Sequence, residues 1–304
     1  MQQNKILRLE NDTLYLTYSW GILNQGICGH AFEVIDYFWI LKDFFKIKIL
    51  FCEDFDINLF KKAILNKYNF NNQEVDLIIE NIIIKNRPKI VTGGYLLITD
   101  GNLMKDKNVV LKFKHIFMFS CGIKDNHLLL NENITVLQDY RIYESGVRTI
   151  NYKKKILFDR LLEILEYNDA NLIYISKNCR NLSDNFANLP NKKFIAVINK
   201  GDKYENIENI EFIESPVENI WKLFNKYYYT DVPRKFDCSP RFIAECKFYG
   251  REVVYLIDYF IEDKGLFWRK FDIDNDFESI KLTNNDELIR IISEQLLLDN
   301  HMGM

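Results

Sequence analysis

Short apolar runs of strand length alternate with helical stretches along most of this 304-residue chain. The first unit reads as a strand at Leu14 to Thr17, a glycine-containing loop, a helix with apolar residues at helical spacing, and a strand at Ile47 to Cys52. A strand, a crossover helix and a strand in this order form a βαβ unit. Because the alternation persists, we predict an α/β layer fold.

The pattern also predicts how the chain is divided. Helices are expected at 59–68, 74–85, 152–165, 219–228 and 286–298, and strands at 89–92, 95–99, 114–119, 134–137, 171–176, 194–198 and 210–213, with a loop at Gly93 and Gly94. The helix at 152–165 is expected to carry the chain between domains. We therefore predict one domain at 1–150, a second at 151–285, and a C-terminal helix at 286–304 that could return to the first domain.

Composition and charge limit the kinds of partner and site that the chain can have. The net charge is −3, so the overall charge does not indicate a nucleic-acid-binding protein, although a local basic patch could still bind nucleic acid. None of the six cysteines forms a CxxC pair, so neither a zinc site nor a disulfide framework is indicated. No apolar run reaches the roughly 20 residues needed to span a bilayer, and the first residues have no signal-peptide core. We expect a cytoplasmic protein.

The loop after the first strand contains Gly21, Gly26 and Gly29. Its spacing differs from GxGxxG, so it is not interpreted as a dinucleotide fingerprint. Glycines at this position would let a substrate approach the backbone. A tight βα turn without any ligand is the alternative. His30 follows the loop directly and is a candidate general base, with a structural role as its alternative.

The stretch from Ser239 to Asp258 has helix signals followed by a strand signal. Ser239 suits an N-cap, Pro240 the first helical position, and Gly250 a C-cap before an apolar run. The free N–H groups of such a helix start suit a phosphate. Arg241 in the first turn and Glu245 one turn later would then bind diphosphate and ribose. The alternative is a surface ion pair.

Two further strand ends carry candidate residues. Asp139 follows the strand at 134–137, and ligands of open α/β sheets bind beyond the carboxyl ends of strands. Asp139 is therefore a candidate base for an acceptor hydroxyl, or else it caps a turn or pairs with Arg141. Lys177 and Arg180 follow the strand at 171–176 and could bind phosphates, with a solvated loop as the alternative.

Two α/β units, a glycine loop after the first strand, and a late helix with Arg241 and Glu245 before an apolar strand resemble the GT-B glycosyltransferases. The resemblance implies two Rossmann-like domains facing across a cleft, with the acceptor side in the first and the nucleotide sugar in the second. It also implies that Glu245 holds the ribose of the donor. The matching stretch covers about twenty residues, and elsewhere the likeness is one of architecture.

A narrower likeness is to phage glucosyltransferases that modify hydroxymethylated cytosine in DNA. The strand end Leu137-Gln138-Asp139-Tyr140-Arg141 has the Asp-x-Arg form of that family's base. Lys177 to Arg180 resemble its arginine-bearing loop. A basic rim for DNA and stacking tyrosines could come from Lys153, Lys154, Lys155, Lys177, Arg180, Arg234, Lys235, Lys247, Arg251 and Tyr227 to Tyr229.

Asp139 as the base implies an inverting route, with a retaining route left open, and no carboxylate cluster in the sequence requires a metal ion. A UDP-sugar or another nucleotide diphosphate sugar would be the donor, and double-stranded DNA a candidate acceptor. Arg180, Arg241 and the helix start at Ser239 would stabilise the leaving diphosphate, while Asp139 or His30 takes the acceptor proton. A polysaccharide or lipid-linked acceptor, and a non-catalytic nucleotide-binding protein on the same fold, are the alternatives. The oligomeric state is left open.

Overall fold

The computed structural model describes residues 6–18, 29–51, 56–84, 88–99, 110–119, 130–138, 146–152, 154–174, 192–198, 201–204, 206–214, 217, 219–229, 241–255 and 285–302. Their strands form two parallel sheets, and helices pack against them. The predicted α/β class with parallel strands is therefore confirmed.

The first sheet has eight strands. Seven of them follow the order β4-β3-β2-β5-β6-β7-β8, and the eighth, β1, pairs with Ile90 to Thr92 at the beginning of β5. The strand order reverses between β2 and β5, since β3 lies on one side of β2 and β5 on the other. The strands are β1 (Ile6–Arg8), β2 (Leu14–Thr17), β3 (Ile47–Phe51), β4 (Ile82–Ile84), β5 (Ile90–Ile98), β6 (Val110–Phe119), β7 (Ile134–Gln138) and β8 (Thr149–Asn151). The helices are α1 (Gly29–Leu41), α2 (Ile57–Lys67) and α3 (Asn72–Glu80).

The second sheet has five strands in the order β11-β10-β9-β12-β13. Its order reverses between β9 and β12. The strands are β9 (Asn171–Tyr174), β10 (Phe194–Ile198), β11 (Ile210–Glu214), β12 (Lys226–Tyr229) and β13 (Glu252–Tyr255), accompanied by α4 (Arg241–Phe248) and α5 (Asp286–Met302).

Helix α4 ends as its sequence predicts. Gly250 has a φ of +65°, and its N–H bonds to the carbonyl of Lys247 at 3.1 Å. The N–H of Arg251 reaches back to the carbonyl of Cys246 at 2.8 Å, which completes a Schellman motif. The helix begins at Arg241, and the predicted cap at Ser239 lies outside the described residues.

The predicted loop at Gly93 and Gly94 is wrong, because β5 runs through both residues. A Cβ on Gly94 would lie 2.7 Å from the carbonyl oxygens of Asn11 and Thr13. β1 and β2 pair with successive parts of the same edge of β5, and the connection between them lies close to Gly94. The glycines therefore provide room for a close approach of backbone, and they do not end a strand.

The predicted helix at 152–165 is also wrong. Residues 154–170, here called the crossover segment, contain one 3₁₀ turn at Phe158–Arg160 and otherwise no helix. Backbone groups of the segment bond to the end of α2 instead, with Asn69 N–H donating to Arg160 O at 2.6 Å and Leu162 N–H donating to Lys67 O at 3.0 Å. Tertiary hydrogen bonds replace the helical ones, so the periodic leucines do not decide the conformation.

One other helix prediction fails, and another is confirmed only in part, for a related reason. The stretch 219–228 gives only a 3₁₀ turn at Ile220–Lys222, and its tyrosines form β12 between β9 and β13. The stretch 74–85 is helical only to Glu80, after which β4 pairs with β3. In both cases pairing with a neighbouring strand satisfies the backbone and overrides the local pattern.

One cluster of buried apolar side chains contains residues of both sheets, among them Leu16 and Phe117 of the first and Leu172 and Tyr227 of the second. Helix α5 contributes Leu288, Ile291 and Ile292 to the same cluster. The hydroxyl of Tyr152 donates to Asn285 Oδ1 at 2.7 Å, just before α5 begins. Within the described ranges, no helix combines the length and the hydropathy required to cross a bilayer.

Candidate functional site

Most of the candidate site residues follow strands at the two points where the strand order reverses. Ligands of open parallel sheets bind where the strands on either side are followed by diverging connections. In the first sheet β2 leads to α1, and Thr99 at the end of β5 donates its hydroxyl to the carbonyl of His30 at 3.1 Å. In the second sheet the corresponding strands are β9, which precedes Lys177 and Arg180, and β12, which precedes α4.

The starts of α1 and α4 lie against each other. A Cβ placed on Gly29, the first residue of α1, would be 3.8 Å from Cδ and 3.9 Å from Cβ of Arg241, the first residue of α4. Helix starts carry free N–H groups and a partial positive charge. Two such starts, one from each sheet, therefore meet at one place.

The first turn of α1 presents a histidine–carboxylate pair. His30 Nδ1 lies 3.0 Å from Glu33 Oε2, and 29% of the histidine side chain is exposed. The second carboxylate oxygen, Glu33 Oε1, lies 2.6 Å from Nζ of Lys154 in the crossover segment. The Glu33 carboxylate is thus shared between an imidazole near solvent and a buried ammonium group.

Glu33 is charged although it is only 2% exposed. Burial by itself would raise its pKa, but Lys154 and His30 outweigh burial and lower the pKa to about 2. A carboxylate fixed in this way favours the tautomer in which His30 Nδ1 carries the proton and Nε2 the lone pair. The arrangement can orient His30 as a general base.

Arg241 and Glu245 are brought together, with Nε of the arginine 2.6 Å from Oε1 of the carboxylate. The pair is buried, since the side chains are 6% and 2% exposed, so the interpretation as a surface ion pair is wrong. Arg241 also contacts Asp36 on α1 and the hydroxyl of Tyr68, while Lys67 Nζ lies 2.7 Å from Glu245 Oε1. We call these five residues the buried charge network.

Within the buried charge network, neighbouring opposite charges hold Arg241 and Glu245 in their ionised forms. Burial would lower the pKa of Arg241, but Asp36, Tyr68 and Glu245 raise it well above its ordinary value. Burial would raise the pKa of Glu245, but Lys67 and Arg241 lower it. Both groups are therefore ionised at neutral pH. The Glu245 carboxylate accepts bonds from Arg241 in the same helix and from Lys67 at the end of α2. The bond from Lys67 fixes α4 to α2, and the contact of Arg241 with Asp36 fixes α4 to α1.

Of the side chains predicted to form a rim for DNA, Lys154, Arg251, Tyr227 and Tyr228 are buried, so they do not form an exposed rim. Six further candidates for the catalytic, donor-binding and loop sites lie outside the described residues. They are Gly21, Gly26, Asp139, Lys177, Arg180 and Ser239. Their assignments stay predictions, as does the direct contact of Arg241 and Glu245 with a nucleotide. Of the predicted site residues within the described ranges, Gly29, His30, Arg241 and Glu245 gather around the starts of α1 and α4.

Sequence reasoning missed Glu33, Asp36 and Lys67, and it assigned Lys154 to a rim for DNA instead of to Glu33. The spacing of three residues between His30 and Glu33 on a predicted helix is a local signal that could have identified the first of these. An acidic residue on an otherwise apolar helix face, as at Asp36, indicates a buried partner. The identities of the partners depend on the packing of distant segments and have no local signal.

The part of the chain that the structure describes contains no group of three or more histidine, cysteine or acidic side chains placed to hold a metal ion. Comparison of the chain with protein-family models, with curated proteins and with solved structures finds no match in any of the three.

Proposed function

We propose that the chain is a glycosyltransferase that moves a sugar from a nucleotide diphosphate donor to an acceptor hydroxyl. The observation that carries the proposal is the meeting of two helix starts, Gly29 of α1 and Arg241 of α4, each after a strand at the reversal point of its own parallel sheet. Such a place favours a diphosphate ligand.

In this proposal the two sheets belong to two Rossmann-like domains of the GT-B arrangement, with the reactants bound between them. The start of α4, including Ser239, and the loop with Lys177 and Arg180 stabilise the leaving diphosphate by charge and by N–H donors. The acceptor lies on the side of α1, where Gly21, Gly26 and Gly29 allow its close approach. UDP-sugar or another nucleotide diphosphate sugar is the donor, and no metal ion takes part.

The burial of the charge network changes the proposed roles of two residues. Glu245 is 2% exposed and bonded to Arg241 and Lys67. We therefore propose that Arg241 and Glu245 act mainly by holding the start of α4 in place beside α1. The phosphate contacts then fall to the backbone of that helix start.

His30 is the base that the geometry favours, because Glu33 contacts its Nδ1 and leaves the basic lone pair on Nε2. Nε2 takes the acceptor proton as the acceptor oxygen attacks the anomeric carbon, and the bond to the diphosphate oxygen breaks. The configuration inverts in this single displacement. Asp139 is the second candidate for the same role.

The test is release of nucleoside diphosphate from a panel of nucleotide sugars, with hydroxymethylated DNA and polysaccharides as acceptors. We expect one donor to be consumed, and His30→Gln to lower kcat by about 10²- to 10⁴-fold with little change in KM. Asp139→Asn is the comparison: loss of kcat there instead would assign the base to Asp139.

Two outcomes would contradict the proposal. Tight nucleotide binding without release of diphosphate under any condition identifies a non-catalytic binding protein. Unchanged turnover in both variants removes the base mechanism. For the acceptor, a steep fall of affinity with salt favours DNA through phosphate contacts, and salt-independent binding favours an uncharged glycan.

A further inference from the structure

The pair formed by His30 and Glu33 has a third member that comes from a distant part of the chain. Lys154 lies in the crossover segment that leads from the first sheet to the second. Its Nζ is 2.6 Å from Glu33 Oε1, while Glu33 Oε2 faces His30 Nδ1 at 3.0 Å. The lysine side chain is 8% exposed, so water screens its charge weakly.

The crossover segment is held firmly at this place. The N–H of Lys155 donates to the hydroxyl of Tyr37 at 3.0 Å, one helical turn after Glu33 on α1. The neighbouring Tyr152 bonds to Asn285. Lys154 therefore meets Glu33 from a backbone position that hydrogen bonds on both sides hold in place.

Among the described residues, the buried charge network beside the first turn of α1 is balanced. Arg241 packs beside Gly29 from α4, and the two cations Arg241 and Lys67 compensate the carboxylates of Asp36 and Glu245. Thr99 contributes an uncharged hydroxyl from the end of β5. Among these groups Glu33 and Lys154 are the pair whose charges act directly on the imidazole of His30.

We propose that Lys154 is a positioning residue for His30: it holds Glu33 ionised and oriented, and its positive charge opposes protonation of the imidazole. Two cations that share one carboxylate compete for it, so the ammonium group weakens the attraction of Glu33 for an imidazolium at His30. The inference rests on the proposed function only in taking His30 as the base. Lys154 then favours the unprotonated form of that base.

The experiment follows the titration of His30 by NMR in the full-length protein, with the His30 signal assigned by its loss in His30→Gln. We expect Lys154→Met to raise the pH at which His30 loses its proton by about one unit, because the competing cation is gone. Glu33→Gln should move the same titration in the opposite direction. Lys154→Arg keeps the charge and should titrate like the unmodified protein.

An unchanged or lowered titration of His30 in Lys154→Met would overturn the inference, as would a shift in Lys154→Arg equal to that in Lys154→Met. Circular dichroism of each variant shows that the comparison is made on folded protein. The NMR readout needs no turnover, so it decides the inference even when no nucleotide sugar is consumed. When turnover is found, the acidic limb of the kcat/KM profile should move with the NMR titration.

Discussion

At the scale of single residues, Gly94 and Gly29 differ in how much room a Cβ atom would have. A Cβ on Gly94 would lie 2.7 Å from two backbone carbonyl oxygens, whereas a Cβ on Gly29 would meet only the stem of Arg241 at 3.8 and 3.9 Å. We expect Gly94→Ala to lower the free energy of unfolding by about 1–3 kcal/mol, because backbone must move apart. Gly29→Ala should leave it unchanged or slightly raised.

Denaturation with urea, followed by circular dichroism, measures both variants. Equal midpoints for the two would contradict the close approach of the chain to Gly94. The two glycines also show how far sequence reasoning reaches at this scale. A Gly-Gly pair is a loop signal by itself, and the need for glycine inside β5 appears only when the connection between β1 and β2 is seen against Gly94.

At the scale of secondary-structure elements, helices α4 and α5 offer a matched comparison. Each contains an arginine followed four residues later by a glutamate. Arg241 and Glu245 are 6% and 2% exposed, while Arg290 and Glu294 are 60% and 58% exposed, with Nη1 2.8 Å from Oε1. Burial is the main difference between the two pairs.

We expect Arg241→Met to lower the free energy of unfolding by about 3–5 kcal/mol, because Asp36 would be left buried without the cation it contacts, while Glu245 would keep only Lys67. Arg290→Met should change it by less than about 0.5 kcal/mol, since water already screens that pair. Urea denaturation of both variants measures the difference. Similar losses would mean that the charge network does not hold α4.

The elements also show which predictions could be made from sequence. Strands β2 and β10 have the bounds that their apolar runs predict, because every residue of β2 and four of the five residues of β10 are buried. The crossover segment has leucines and isoleucines at helical spacing, yet its backbone bonds to the end of α2. His30 could be selected from its place after a glycine loop. Lys154 could not, because only the packed structure brings it to Glu33.

At the scale of the whole molecule, the two sheets share one apolar cluster, and the buried charge network joins α1 and α2 to α4. We therefore expect the sheets to unfold together. Hydrogen exchange of backbone amides at rising denaturant should show β5 and β10 losing protection at the same concentration and with the same slope. Opening of β10 at a clearly lower concentration would contradict this, and would mean that the second sheet is an independent unit.

The position of helix α5 bears on how this molecule is made. Its residues Leu288, Ile291 and Ile292 belong to the same buried apolar cluster as Leu16 of β2. Asn285, just before α5, accepts a hydrogen bond from Tyr152, which follows β8. During synthesis the ribosome releases α5 only after both sheets have emerged. A nascent chain from which α5 has not yet emerged would leave part of the apolar surface of the first sheet exposed. We therefore expect chaperones that recognise apolar surface to bind the nascent chain until α5 appears.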